Sequence, residues 1–386
     1  MSHFNDLIDR RKTQSLKWDV GDNELPMWVA DMDFQTAPAI IEALKNRVTH
    51  GVFGYTVIPD EWYKAYIGWW KRRHNFEIQK DWLIFCTGIV PAISSVVRKL
   101  TYPAENVVVI TPAYNIFFNS IYNNGRNIVE CQLKYDNGKY ELDYDDLEKK
   151  CSDPQSTLLI LCNPLNPAGI LWTKDGLARI GDICARNNVT VLSDEIHCDV
   201  TLPGTEYVPF ASASKVCEQI SVNCVSPTKA FNIAGLQTAA VFVPNPVLRH
   251  KVWRGLNTDE VAEGNVFACD AAIAAFNNGE AWLDELREYL AENRKIAEKY
   301  IKENIPSITV VSGQATYLMW LDCRKLRKPS NELAEYIRKT TGLYLSEGTE
   351  YRGDGIHFLR MNLACPHARL LDGLERLKKA ADSLLK

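Results

Sequence analysis

Between residues 82 and 243 the chain carries six short apolar runs, at 82–86, 106–110, 157–162, 189–193, 220–225 and 238–243. Each is short for a helix and too uniformly apolar for a strand with one wet face, so each reads as a strand buried on both faces. Most are followed by a helical or turn-rich connection, and strands alternating with helices specify an α/β fold with a doubly wound, mostly parallel sheet. Helical spacing at 60–73, 91–100, 174–187 and 261–277 supplies the covering layers, and 280–304 reads as one long helix able to bridge two domains. Beyond it, strand-like runs at 307–311, 315–321, 343–346 and 357–363 alternate with helices at 330–340 and 368–385, the pattern of a smaller α+β domain. At 386 residues the chain exceeds the roughly 250–300 that one core usually serves. The expected division is a large domain over 48–285 and a small domain built from 1–47 and 286–386.

Lys and Arg number 44 against 48 Asp and Glu, a formal charge of −4. That balance gives no general pull toward nucleic acid or an anionic membrane, and no segment reads as a helix-turn-helix, so a small molecule is the expected ligand. The stretch from Met1 to Arg11 is polar and mixed in charge, unlike a signal peptide, and no run of about 18 apolar residues follows, which points to a cytoplasmic protein. Eleven cysteines occur without a C-x-x-C pair, and Cys86, Cys162 and Cys224 lie inside apolar runs, so the thiols are expected to be reduced and to hold no zinc. Cys198, one residue past His197, invites a metal or nucleophile reading, which is the lesser one.

In open α/β sheets ligands gather beyond the carboxyl ends of the strands. Four such loops hold chemistry-bearing residues. In Ser226-Pro227-Thr228-Lys229, Lys229 is the only charged residue between Gln219 and Leu248. Desolvation lowers a lysine's pKa toward a nucleophilic range, which suits a Schiff-base lysine; an ordinary loop lysine is the alternative. Asp194, in Ser193-Asp194-Glu195-Ile196-His197, is placed to keep a pyridine nitrogen protonated, or merely to make a turn. Thr87-Gly88-Ile89-Val90-Pro91 takes a strand into a helix, where backbone amides bind anions and the hydroxyls of Ser226 and Thr228 can join them. It is neither a G-x-G-x-x-G fingerprint nor a P-loop. The stiff turn Asn163-Pro164-Leu165-Asn166-Pro167-Ala168-Gly169 presents Asn166 to a ligand hydroxyl or is purely structural. Arg360 is the only Arg, Lys, Asp or Glu between Asp354 and Arg369; it calls for an anion, either a substrate carboxylate or an internal acid. Tyr114 suits stacking on a flat ring or core packing.

In this order the pieces resemble the fold type I pyridoxal-phosphate (PLP) enzymes of the aminotransferase superfamily, and within them the MalY/PatB-type cystathionine β-lyase (C–S lyase) group. The loops at 163–169, 193–195 and 226–229 are the broad marks. The narrower ones are Lys17-Trp18-Asp19, Met27-Trp28-Val29-Ala30-Asp31-Met32-Asp33-Phe34, Arg72-Arg73-His74, Asp194-Glu195-Ile196-His197-Cys198-Asp199, Ala315-Thr316-Tyr317-Leu318 and Ser346-Glu347-Gly348. The resemblance implies a fold type I transferase whose Lys229 holds PLP, with Asp194 on the pyridine nitrogen and Asn166 and His197 facing the phenolic oxygen. It implies that Tyr114 stacks on the ring and that Gly88, Ile89, Val90, Ser226 and Thr228 hold the phosphate, joined by Tyr55 from the second subunit of a homodimer. Arg360, with Ala30 and Asn166, would bind the substrate carboxylate, and the 28–33 stretch would close over it.

The implied reaction is elimination from L-cystathionine or L-cysteine to a thiol (homocysteine or hydrogen sulfide), pyruvate and ammonia, with Lys229 moving the α proton. A PLP-dependent aminotransferase is the alternative within the fold, and a moonlighting protein-binding regulator the alternative outside catalysis. The chain departs from the family pattern at Leu165, Ile170, Asn115-Ile116 and Arg352; Asn115 and Arg352 are thereby expected at the entrance, where they bear on substrate preference.

Overall fold

The computed structural model describes residues 3–385. Its central sheet has seven strands: β1 (Leu83–Cys86), β2 (Asn106–Thr111), β3 (Asn127–Gln132), β4 (Ser156–Cys162), β5 (Thr190–Asp194), β6 (Ser221–Val225) and β7 (Ala239–Phe242). They lie in the order β1-β7-β6-β5-β4-β2-β3, parallel except that β7 runs against both of its neighbours. All six apolar runs are strands of this sheet. The seventh, β3, is an edge strand whose Glu130 and Gln132 face partly outward, so it carries no continuous apolar signature.

After β3 the chain returns to the far side of β2 to form β4. This reversal of strand order opens a crevice at the carboxyl ends, and Cys162, Asp194 and Val225 end β4, β5 and β6 on that edge. β1 is parallel to β6 by virtue of two antiparallel steps, so Cys86 and Gly88 reach the same edge.

The expected helix at 261–277 begins instead at Ala268. The preceding backbone is spoken for: the Val261 carbonyl accepts from the Thr87 amide at 2.9 Å, and the Asn265 side chain captures the Phe267 amide at 3.0 Å. Helices Pro38–His50, Asn115–Asn123 and Pro246–Thr258 are found where the apolar pattern gave no clear period. The long helix, Glu280–Asn304, is as the spacing predicts.

A second, antiparallel sheet joins Thr309–Val310, Leu318–Asp322, Phe358–Asn362 and Ser346–Glu347 in that order, and Leu25–Pro26 pairs in parallel with Leu343–Tyr344. Trp18, Leu25 and Met27 share a core with Ala297, Met319, Met361 and Leu374. The segment 28–33, running from this strand toward the large sheet, is held from behind by a buried ion cluster. Asp33, 2% exposed, takes Lys17 at 3.2 Å, Arg10 at 3.0 Å and Arg369 at 3.5 Å. It also accepts the Trp18 indole N–H at 2.8 Å. Burial alone would raise the Asp33 carboxyl; the cations and the indole outweigh it and hold the group below its ordinary range.

Replacing Asp33 by Ala leaves Lys17, itself 1% exposed, with only the more distant Asp31 carboxylate at 3.8 Å. Removing one partner of a buried ion cluster costs about 3–5 kcal/mol, so the Asp33→Ala protein is expected to lose that much unfolding free energy in urea titration. A loss under 1 kcal/mol would show that the cluster anchors nothing.

Candidate active site

The turn after β6 is built on Ser226. Its hydroxyl donates to the Thr238 carbonyl at 2.7 Å, accepts the Thr228 amide at 3.1 Å and lies 2.7 Å from the Thr228 hydroxyl. This tight turn puts Lys229 into a cavity of about 280 Å³ at the carboxyl edge of the sheet. The Lys229 amine donates to the Ala30 carbonyl at 2.6 Å. Burial, reinforced by the Arg360 charge and opposed by Asp31 and Asp194, lowers its pKa to about 8.

Asp194, last residue of β5, faces the same cavity and accepts one protein hydrogen bond, from the Ile196 amide at 3.2 Å. Burial lifts its carboxyl to about 7, against that amide and Lys229. His197 is buried in the wall, and burial, with the charges of Lys229 and Arg360, pushes its pKa well down; the ring is neutral, and its Nδ1 has no partner. Asn166 accepts from the Arg360 guanidinium at 3.1 Å. The helix Ile89–Leu100 starts at Gly88 without a side-chain cap, and Pro91 has no N–H, so the amides of Ile89 and Val90 open into the cavity. Tyr114, at the start of the helix Asn115–Asn123, completes one wall; burial raises its phenol to about 12.

Arg360 is 4% exposed. Its partners are neutral: Asn166, the Trp28 carbonyl at 2.8 Å and the Ser346 hydroxyl at 3.4 Å, with Nε unpartnered. Among the described residues no internal carboxylate forms a salt bridge with it. Its guanidinium lies over the Tyr351 ring at 5.0 Å.

Gly88, Ile89, Val90, Tyr114, Asn166, Asp194, His197, Thr228, Lys229 and Ala30 therefore meet in one cavity. Arg360 reaches its edge through Asn166. Ser226 stands one step behind Thr228. Tyr55 is not there: it is fully exposed, beside a second cavity that shares Gln237 with the first. Arg352, expected at the entrance, turns away onto Glu130, and neither it nor Asn115 belongs to the cavity wall. Cys198 sits with His74 and Asp199 in a cluster outside this cavity, where the Asp199 carboxylate already accepts from His74 at 2.9 Å and the Trp69 indole at 3.0 Å.

Two contributors were given no role in the reading of the sequence, although Tyr317 lies within the Ala315–Leu318 mark. Tyr317 donates to the Ala30 carbonyl at 2.9 Å, sharing that acceptor with Lys229. Asn362 donates to the carbonyls of Val29 and Asp31, at 2.6 Å each. A signal for Asn362 existed: it is two residues past Arg360 on one strand, hence on the same face.

The residues fit PLP on this chain's own geometry. A carboxylate with spare acceptor capacity, a neutral imidazole with a free Nδ1, a depressed amine, open helix amides and the unpartnered Thr238 hydroxyl surround one slot. A flat, phosphorylated pyridine aldehyde can satisfy each of them. With the switched parallel sheet, they define a fold type I PLP site.

Comparison with known proteins agrees. Residues 22–377 match the aminotransferase class I and II family, and the chain belongs to it. It is 41% identical over 384 residues to cystathionine β-lyase PatB of Bacillus subtilis (strain 168), covering 98% of this chain and 99% of that one. The structure of cystalysin from Treponema denticola, which contains PLP, superimposes with a TM-score of 0.96 at 34% identity over 100% of both chains. The PLP-bound C–S lyase of Staphylococcus hominis gives 0.93 at 30% identity over 99% of each.

In cofactor-free protein, acetylation of Lys229, followed by peptide mass spectrometry across pH, is expected to titrate near the depressed value of about 8, the amine reacting above it and protected below. A midpoint near 10.4, that of a free lysine, would contradict the burial argument.

Proposed function

We propose that this protein is a PLP-dependent carbon–sulfur β-lyase acting on L-amino acids that carry sulfur at the β carbon, with L-cystathionine and L-cysteine as the model substrates. The observation that carries the reading is that a depressed lysine amine, a buried aspartate and an unneutralised arginine converge on one cavity. The names of the relatives, cystathionine β-lyase and C–S lyase, supply the reaction class.

Bound at this site, PLP supplies an electron sink for charge developing at the substrate's α carbon. Asp194 would hold the pyridine nitrogen and favour its protonated form, Asn166 and His197 would lie on the side of the phenolic oxygen, and Tyr114 would cover the ring. The amides of Ile89 and Val90, with Gly88, Thr228 and Ser226, would hold the phosphate. Arg360, assisted by Asn166 and Ala30, takes the α-carboxylate in a bidentate grip, which fixes the α hydrogen toward Lys229. With a pKa near 8 the Lys229 amine is partly neutral at physiological pH and takes that proton. The C–S bond then breaks with its electrons on sulfur, and Lys229 or the protonated Tyr114 phenol returns a proton to the thiolate. With one water the net change is thioether to thiol, pyruvate and ammonia.

The reading includes a homodimer in which Tyr55 enters the neighbouring site. Val52, Phe53, Tyr55 and Val57 are exposed beside the second cavity, an apolar surface that a second copy would cover. It also includes a large domain over 48–285 with a small domain from 1–47 and 286–386, supported by the separate core around Met319 and Leu374. A cytoplasmic setting is favoured by eleven free cysteines, all buried, and among the described residues no helix is long and apolar enough to cross a membrane.

Purified holoenzyme is expected to release pyruvate steadily from L-cystathionine, and Lys229→Ala to lose at least about 10³-fold in that rate. Amino-group transfer to a 2-oxo acid without pyruvate would make the protein an aminotransferase instead. Arg360→Lys keeps the charge but removes the planar fork; KM for L-cystathionine is expected to rise roughly 10- to 100-fold with a smaller change in kcat. An unchanged KM would remove Arg360 from carboxylate binding.

A further inference from the structure

Arg352 occupies a backbone conformation that side chains avoid. Its φ of 56° and ψ of −155° fall in a region populated almost only by glycine. The turn's own backbone closes it, the Arg352 amide donating to the Thr349 carbonyl at 3.2 Å and the Gly355 amide to the Arg352 carbonyl at 3.0 Å, and neither bond demands an arginine. The side chain adds a further hold from outside. Its guanidinium donates to the Glu130 carboxylate at 3.1 Å and to the Tyr122 hydroxyl at 3.4 Å, and it lies over the Phe118 ring at 4.5 Å. Glu130 grips the backbone as well, accepting the Gly353 amide through its other oxygen at 3.3 Å. One carboxylate on the edge strand β3 thus binds both ends of the strained step.

The residue before it belongs to the site. Tyr351 is 2% exposed, and its ring underlies the Arg360 guanidinium. Its carbonyl accepts the Ala113 amide at 2.9 Å, directly before Tyr114. The rings that Arg352 covers belong to the helix that Tyr114 begins. A twist at 352 therefore moves Tyr351, and Tyr351 is the surface on which Arg360 rests.

We propose that Arg352 is a positioning residue for the substrate carboxylate: by clamping onto Glu130, Phe118 and Tyr122 it fixes a glycine-like backbone turn that sets Tyr351 beneath Arg360. This rests on the reading that Arg360 binds the α-carboxylate. Arg352 touches no reacting atom, so its effect is on carboxylate-bearing ligands and not on the general capacity of the pocket.

The test is calorimetric binding to holoenzyme of L-alanine and of ethylamine, the same amine without a carboxylate, with thermal unfolding of each variant recorded. Arg352→Ala removes the clamp but keeps a Cβ in the strained region; it is expected to weaken L-alanine about ten-fold and leave ethylamine within about two-fold. Arg352→Gly removes the clamp together with the need for it, and L-alanine affinity is expected to return to within about two-fold of the parent. Glu130→Gln is expected to follow Arg352→Ala. An unchanged L-alanine constant in Arg352→Ala, an equal loss of both ligands, or an Arg352→Gly no better than Arg352→Ala would each overturn the proposal. Arg360→Ala separates the two readings. If it loses L-alanine while Arg352→Ala does not, the clamp falls and the carboxylate site stands; if it binds L-alanine normally, the carboxylate reading itself has failed.

Discussion

The site is organised by an imbalance of buried charge. Lys229 and Arg360 bring two cations to one cavity and its edge, while among the described residues Asp194 is the one acid lining the wall, with Asp31 acting on Lys229 from outside it. Two like charges in a poorly hydrated space repel, and the structure relieves that repulsion by different means for each. Lys229 yields toward its neutral form, and His197 stays neutral. Arg360 keeps an open valence, shown by its unpartnered Nε. On the proposed function, a phosphate at the Gly88 helix start and a carboxylate at Arg360 would be the two anions that balance this arrangement, and the cavity would select ligands by charge before shape.

Much of this was legible because parallel strands write their burial into the sequence as uninterrupted apolar runs, and the loops at their carboxyl ends then stand out by contrast. Lys229 was conspicuous as a lone charge in a long neutral stretch, and Arg360 for the same reason. What stayed hidden involves the backbone as an acceptor. The carbonyls of Trp28, Val29, Ala30 and Asp31 receive Arg360, Asn362, Lys229 and Tyr317, and carbonyls carry no residue-specific signature. The edge strand β3 was missed because half-exposed strands mix polar residues into their runs. The helix at 268–278 was placed too early because the Asn265 side chain, a local competitor for backbone amides, has no effect on apolar periodicity.

Arg352 shows how an unusual residue is read differently before and after the fold is known. From sequence it is expected at the entrance, as a departure from the family pattern that bears on substrate preference. Its backbone angles and its stacking on Phe118 and Tyr122 turn it outward, so the position matters through conformation rather than contact.

The roof of the cavity is stitched from opposite ends of the chain. Trp28 meets Arg360 across 332 residues of sequence, and Asn362 meets Val29 across 333. On the ribosome, synthesis proceeds at roughly 5–20 residues per second, so the 28–33 segment waits tens of seconds for its partners while the large sheet is being completed beneath it. Lys17 and Asp33 are available to one another from the start, and their pairing can keep that early segment compact until the strand bearing Arg360 arrives. The segment over the pocket is thus fixed by a strand made long after the sheet that carries Lys229.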